Sequence, residues 1–179
     1  IVAGSIRIGE EDLLLLPEAA MRSIRGKRIS MIFQEPMLSL NPVMTVADQI
    51  GEVLRRHFNL RGAAAQERVL EILNQVGIPD AARRMNEYPF QFSGGMKQRV
   101  VMVLSTLMNP SLLIADELTS ALDVSTQKAV AEMLVEFRDR KFVKSTIVIT
   151  HDLSILYQIA DTILVMYAGK LVEKASAAA

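Results

Sequence analysis

The sequence predicts an α/β layer structure: a mostly parallel sheet, flanking helices and an inserted block of helices. Three observations point there. Short apolar or β-branched runs of strand length recur at residues 28–33, 112–115 and 146–150. The segments after the last two runs carry helical periodicity, the alternation expected of a parallel α/β sheet. Residues 45 to about 90 keep helical spacing with no strand among them.

Residues 5–8 alternate as a strand would and end at Gly9. A short helix is expected from Pro17, well suited to the first helical position, to near Gly26. Residues 28–33 form the next strand, stopped by Gln34-Glu35-Pro36, and Asn41-Pro42 marks a turn in the loop beyond. Thr45 is placed to cap a helix whose apolar residues are Val46, Ile50, Val53 and Leu54. A second helix presents Val69, Leu70, Ile72, Leu73 and Val76, and Gly77 and Pro79 close it.

After Gly95 a helix runs to about Met108, before Asn109-Pro110. The strand 112–115 stops at Asp116-Glu117, and residues 125–137 carry Val130, Met133, Leu134 and Phe137 at helical spacing. Residues 146–150 are a β-branched strand, followed by His151-Asp152 and a helix to about Ala160. Residues 162–167 and 170–173 flank Ala168-Gly169 as a hairpin, and residues 175–179 are expected to be a frayed tail.

Composition narrows the function. The chain has 179 residues, 50% hydrophobic and 22% charged, a globular composition with one core. Lys plus Arg and Asp plus Glu are each 20, so there is no basic excess to serve as a footprint for nucleic acid. The basic stretch 138–144 reads as a solvated helix end and loop. With no cysteine, disulfides and thiolate metal sites are excluded, and the two histidines lie too far apart for a local zinc motif. The chain does not open with methionine or a leader-like segment, which suggests a piece of a longer polypeptide.

Chemistry concentrates at strand ends. Apolar residues 112–115 lead into Asp116 and Glu117, placing two carboxylates at the carboxyl end of a buried strand, where open α/β sheets bind ligands. Taken alone, these acids suit either a Mg²⁺ and attacking-water site, as in phosphate-loop hydrolases, or the capping of the next helix. Ser93-Gly94-Gly95 before a helix suits an anion site, though an isolated Ser-Gly-Gly is more often an ordinary loop. Gln34, Asp123 and His151 are each weak signals in isolation.

Their order is more specific. Phe33-Gln34-Glu35-Pro36, Phe92-Ser93-Gly94-Gly95-Met96-Lys97-Gln98-Arg99, residues 112–117, Ser120-Ala121-Leu122-Asp123 and Thr150-His151-Asp152 follow one another along the chain. Together they closely resemble the ATP-binding cassette family, over essentially residues 4–173. The resemblance implies a phosphate-loop-type fold, with residues 1–44 and 91–179 as its core portion and residues 45–90 as a helical subdomain. It implies ATP and Mg²⁺ as cofactors. Gln34 would contact Mg²⁺ or water, and Asp116 would help hold the metal. Glu117 would be the catalytic base, and His151 would meet the γ-phosphate. Ser93, Gly94 and Gly95 would grip nucleotide held by an opposite protomer, and Asp123 would lie across that dimer interface.

Residues 35–42, Tyr88-Pro89, Gly-Gly-Met-Lys-Gln-Arg and Met166-Tyr167-Ala168-Gly169 look most like bacterial oligopeptide and dipeptide importers, a subgroup shared with nickel and glutathione importers. The implied partners are transmembrane permease subunits, a second nucleotide-binding subunit (identical or paralogous) and, indirectly, a solute-binding protein. The implied location is the cytoplasmic face of the inner membrane, as a peripheral subunit. Two other readings stand beside this one: a truncated subunit that only lends its Ser93 loop to a partner, and a DNA-repair or chromosome-organising ATPase, which the short helical insert and zero net charge disfavour.

The sequence departs from the family pattern in three places. No G-x-x-x-x-G-K-[ST] segment, the loop that cradles phosphates, occurs in the 179 residues. The chain by itself is therefore expected to bind ATP weakly and not turn it over. Leu118 stands where the family has proline, and Phe92 replaces the usual leucine before the serine, which puts the fine positioning of Glu117 and Ser93 in question.

Overall fold

The structure is a computed structural model and describes residues 4–33, 39–118 and 124–177. Gln34 and Asp123 lie outside the described residues. At its centre is a parallel three-stranded sheet of β3 (Ile29–Ile32), β4 (Leu112–Asp116) and β5 (Ser145–Ile149), in the order β3-β4-β5. Ile29 pairs with Leu112 and Leu112 with Ser145, so the three strands start together. Two antiparallel hairpins flank the sequence, β1 (Arg7–Ile8) with β2 (Glu11–Asp12) and β6 (Thr162–Tyr167) with β7 (Lys170–Ser176). The α/β class read from the sequence is the class observed.

Between β3 and β4 the chain makes α2 (Val46–Phe58), α3 (Gly62–Gln75), the short α4 (Ala81–Arg84) and α5 (Gly94–Thr106). Thr45 caps α2: its Oγ1 accepts the Asp48 N–H at 3.1 Å and donates to Asp48 Oδ2 at 2.7 Å. Val46, Ile50 and Leu54 form the buried stripe of that helix. Gln49 is buried beside them and fully used. Its Nε2 donates to the carbonyls of Asn41 and Met44, each at 3.1 Å, and its Oε1 accepts the Asn41 N–H at 2.9 Å. A buried amide with these bonds fixes the loop that the Asn-Pro turn begins.

The carboxyl end of α3 is held by arginines from later in the sequence. Arg140 donates to the Gln75 carbonyl at 2.7 Å, and Arg99 on α5 donates to the Val76 carbonyl at 2.8 Å. These bonds satisfy carbonyls that a helix end leaves without an intrahelical partner. One buried apolar cluster runs from Ile32, Leu113 and Ala115 of the sheet, through Val100 to Val103 of α5, to Ile50, Leu54, Val69 and Leu73. Helix α6 (Val124–Asp139) adds Val130, Met133, Leu134 and Phe137 to it. Among the described residues no helix is long and apolar enough to cross a membrane.

Several sequence expectations are corrected. The amino-terminal strand is only Arg7–Ile8, folded back on Glu11–Asp12 around Gly9, whose φ is +62°. Pro17 caps α1 (Glu18–Ile24) rather than occupying its first turn. Residues 175 and 176 belong to β7, where Ala175 pairs with Ile163 and Ser176 with Thr162. The expected strand stopped short of them because Lys, Ala and Ser have little strand preference of their own; pairing to β6 supplies it. Inside the basic stretch 138–144, Val143 is buried, so that segment is not wholly solvated.

Two substitutions test this packing by urea denaturation. Thr45→Ala is expected to cost about 1 kcal/mol through loss of the α2 cap. Phe137→Ala, which empties one of the largest fully buried positions, is expected to cost about 3–5 kcal/mol.

Candidate functional site

The site begins with β4. Its Leu113 and Ala115 are completely buried, and the strand emerges at half-buried Asp116. Parallel pairing sets Asp116 opposite Ile149, the last residue of β5. The ladder then continues past both strands, because the Glu117 N–H donates to the Ile149 carbonyl at 2.9 Å. Residues following β4 are thereby held beside residues following β5. His151 is two residues beyond Ile149, and its Nδ1 lies 3.1 Å from Glu117 Oε1 and 3.0 Å from Oε2.

Glu117 makes this contact from an uncommon backbone conformation, with φ at +49°. Its carboxylate raises the His151 pKa above the ordinary imidazole value, first through the hydrogen bond and then through its charge. Exposure to solvent keeps the opposing desolvation small, and the Asp152 charge adds in the same direction. Asp152 is itself held below the usual carboxylate range by Ser154, whose hydroxyl and N–H donate to its Oδ1 at 2.6 and 2.8 Å. These bonds cap α7 (Leu153–Ile159) and fix the segment carrying His151.

Asp116 stands next to this pair without joining it; its carboxylate has no hydrogen-bond or ion-pair partner among the described residues. No cluster of three or more metal-ligating side chains occurs among them either. That donor set fits Mg²⁺, which commonly takes one or two carboxylates and completes its shell with water and substrate phosphate oxygens. It does not fit a closed protein cage.

Ser93 begins a second region, at the amino end of α5. The helix starts at Gly94, so both glycines lie in its first turn rather than in a loop before it. Ser93 is the cap, accepting the Met96 N–H at 3.4 Å, and residues 93–95 are exposed with no acidic residue in the first turn. A Cβ at Gly95 would meet only open space. Exposed N–H groups and the positive end of the helix dipole are therefore presented outward. Phe92 is buried in the core directly before this turn and leaves the cap in place.

Of the sequence-predicted residues, Glu117 and His151 are brought into contact and Asp116 adjoins them. Ser93, Gly94 and Gly95 belong to a separate helix end, with no hydrogen bond from Ser93 to Asp116 or His151 among the described residues. Sequence reasoning gave no role to Asp152, and it read Leu118 only as a departure from the family pattern that bears on Glu117, not as a buried residue. Asp152 followed two residues later by Ser154 is a local capping signal, and Leu118 is the one apolar residue between Glu117 and Ser120.

Comparison with known proteins identifies the family and the fold. The family profile described as ABC transporter matches residues 2–120. The dipeptide transport ATP-binding protein DppD of Bacillus subtilis is 49% identical over 97% of this chain and 51% of its own length. The oligopeptide transport ATP-binding protein OppD of the same organism is 48% identical over 95% of this chain and 47% of its own. The chain thus spans about half the length of the curated relatives it matches. Among solved structures, a dimeric ATP-binding cassette in a post-hydrolysis state, bound to ADP and Pi, superimposes with a TM-score of 0.75 at 26% identity. That match covers 98% of this chain and 74% of the other.

The ion pair predicts a titration. Glu117→Gln should return the His151 pKa towards the ordinary value near about 6.5, read by NMR of the imidazole. Because the folded pKa is the higher one, the pair's contribution to stability is fully present below the unfolded value. It is lost as pH rises through the folded value.

Proposed function

This chain belongs to the ABC transporter family, and on that premise we propose that it is part of an ATP-hydrolysing subunit energising a membrane importer of peptides or similar small solutes. The names of the relatives support the solute class. The observation that carries the chemistry is the Glu117–His151 contact beside Asp116, at the carboxyl end of the central strand.

In this reading Glu117 orients and deprotonates the water that attacks the γ-phosphate, and His151 holds the carboxylate and meets the phosphate charge. Asp116, with Gln34, would hold Mg²⁺, which when bound neutralises charge on the phosphate oxygens. Ser93, Gly94 and Gly95 donate outward to nucleotide on a second subunit, and Asp123 lies at the same interface. The exposed helix end supports this, as does the dimeric form of the solved neighbour. Residues 45–90 are the subdomain through which permease subunits are engaged, and the subunit is peripheral, on the cytoplasmic face of the membrane.

The 179 residues contain no phosphate-cradling glycine-lysine loop. Where further polypeptide supplies such a loop, the outer edge of β5 is the place for the strand that carries it. That edge pairs with no strand among the described residues, and it leaves Ile147 and Ile149 about half exposed.

The purified 179-residue chain is accordingly expected to show only background ATP hydrolysis. A longer polypeptide supplying a G-x-x-x-x-G-K-[ST] segment is expected to turn over. In it, Glu117→Gln should lower kcat by roughly 100- to 10,000-fold with nucleotide binding retained. Undiminished turnover in that variant would remove Glu117 from the base role.

A further inference from the structure

A bulky residue in the left-handed region is sparsely populated and persists only where its surroundings over-determine it. Glu117 is such a residue, with φ at +49°. Two of its restraints are polar: the N–H bond to the Ile149 carbonyl and the carboxylate contact with His151. Both end on the segment that closes β5. Neither fixes the direction in which the chain leaves Glu117.

Leu118 does. Although it follows a half-buried acid at the strand's exit, its side chain is only 8% exposed and belongs to the main apolar cluster. It lines one small void together with Ile32 at the end of β3, Gln98, Val101 and Met102 of α5, and Val130 and Met133 of α6. The chain therefore has to turn immediately at Glu117 to plunge residue 118 into the core, and the left-handed backbone accomplishes that turn.

We propose that Leu118 is a positioning residue: by burying its side chain against β3, α5 and α6, it holds Glu117 in the left-handed turn that sets its carboxylate on His151. The functional weight of this rests on Glu117 being the base, but the geometry is tested without nucleotide.

The experiment is NMR of the His151 side chain in the full chain, reading the Nδ1 resonance and the titration midpoint. Leu118→Ala is expected to lose the Glu117 signature on Nδ1, with the midpoint falling back to about the ordinary imidazole value. Leu118→Met, which refills the void, should retain both. Met133→Ala lines the same void and should lower thermal stability while leaving His151 unchanged. Unaltered His151 signals in folded Leu118→Ala would overturn the proposal, as would an equal loss in Met133→Ala. Failure of Glu117→Gln to slow turnover is a separate result; it would remove the base assignment and leave the positioning intact.

Discussion

The meeting of the two loops in the Glu117 site depends on the parallel pairing of β4 with strands on both of its sides. A strand that is hydrogen-bonded along both edges and buries Leu113 and Ala115 completely has one permitted register. Sliding it by one residue would exchange its faces, expose that pair and turn half-exposed neighbours inward. The register fixes Asp116 opposite Ile149, and the extra bond from Glu117 to the Ile149 carbonyl carries the alignment past the strand ends. Two loops that are 34 positions apart in sequence thereby become a contact of hydrogen-bond length. The sheet brings the acid and the imidazole side by side, and the buried Leu118 follows directly at the turn.

The helical insert is tied to this sheet by polar bonds as well as by packing. Arg140 follows the end of α6 and Arg99 lies on α5, yet both donate to the carbonyls that close α3. The apolar cluster is continuous beneath them. Helix α5 is therefore a shared element: its amino end presents Ser93, its middle meets Leu118, and its Arg99 reaches the insert. A rotation of the insert about the sheet would have to exchange those arginine bonds or carry α5 with it.

Much of the fold was legible in the chain, and the exceptions share a cause. Helix α2 could be read from Thr45 and a stripe at Val46, Ile50 and Leu54 because cap and period are local properties. The ends of β7 could not, since Lys174, Ala175 and Ser176 are strand only through their partners on β6. The site divides the same way. Asp116, Glu117 and His151 were legible as strand-end groups, but their contact depends on register, which no short window of sequence contains. The left-handed φ of Glu117 was equally hidden, because it is imposed by the burial of Leu118. Gln34 and Asp123 lie outside the described residues, and their roles rest on the resemblance.

Strand β5 shows a mismatch between composition and exposure that bears on the proposed function. Thr146, Ile147, Val148 and Ile149 form an uninterrupted β-branched run, the pattern of a parallel strand buried on both faces rather than the alternation of a half-solvated one. In the structure the strand alternates between exposed and half-buried residues, and its outer edge carries no partner among the described residues. Nothing blunts that edge: no lysine, proline or bulge interrupts it, though such devices are how solvent-facing edges are normally protected from promiscuous pairing. Its composition is that of an interior strand. A further parallel strand laid there would emerge beside His151, at the same carboxyl end as Asp116 and Glu117. That is where a phosphate-cradling loop has to sit if Glu117 is to direct water at a phosphate held by it.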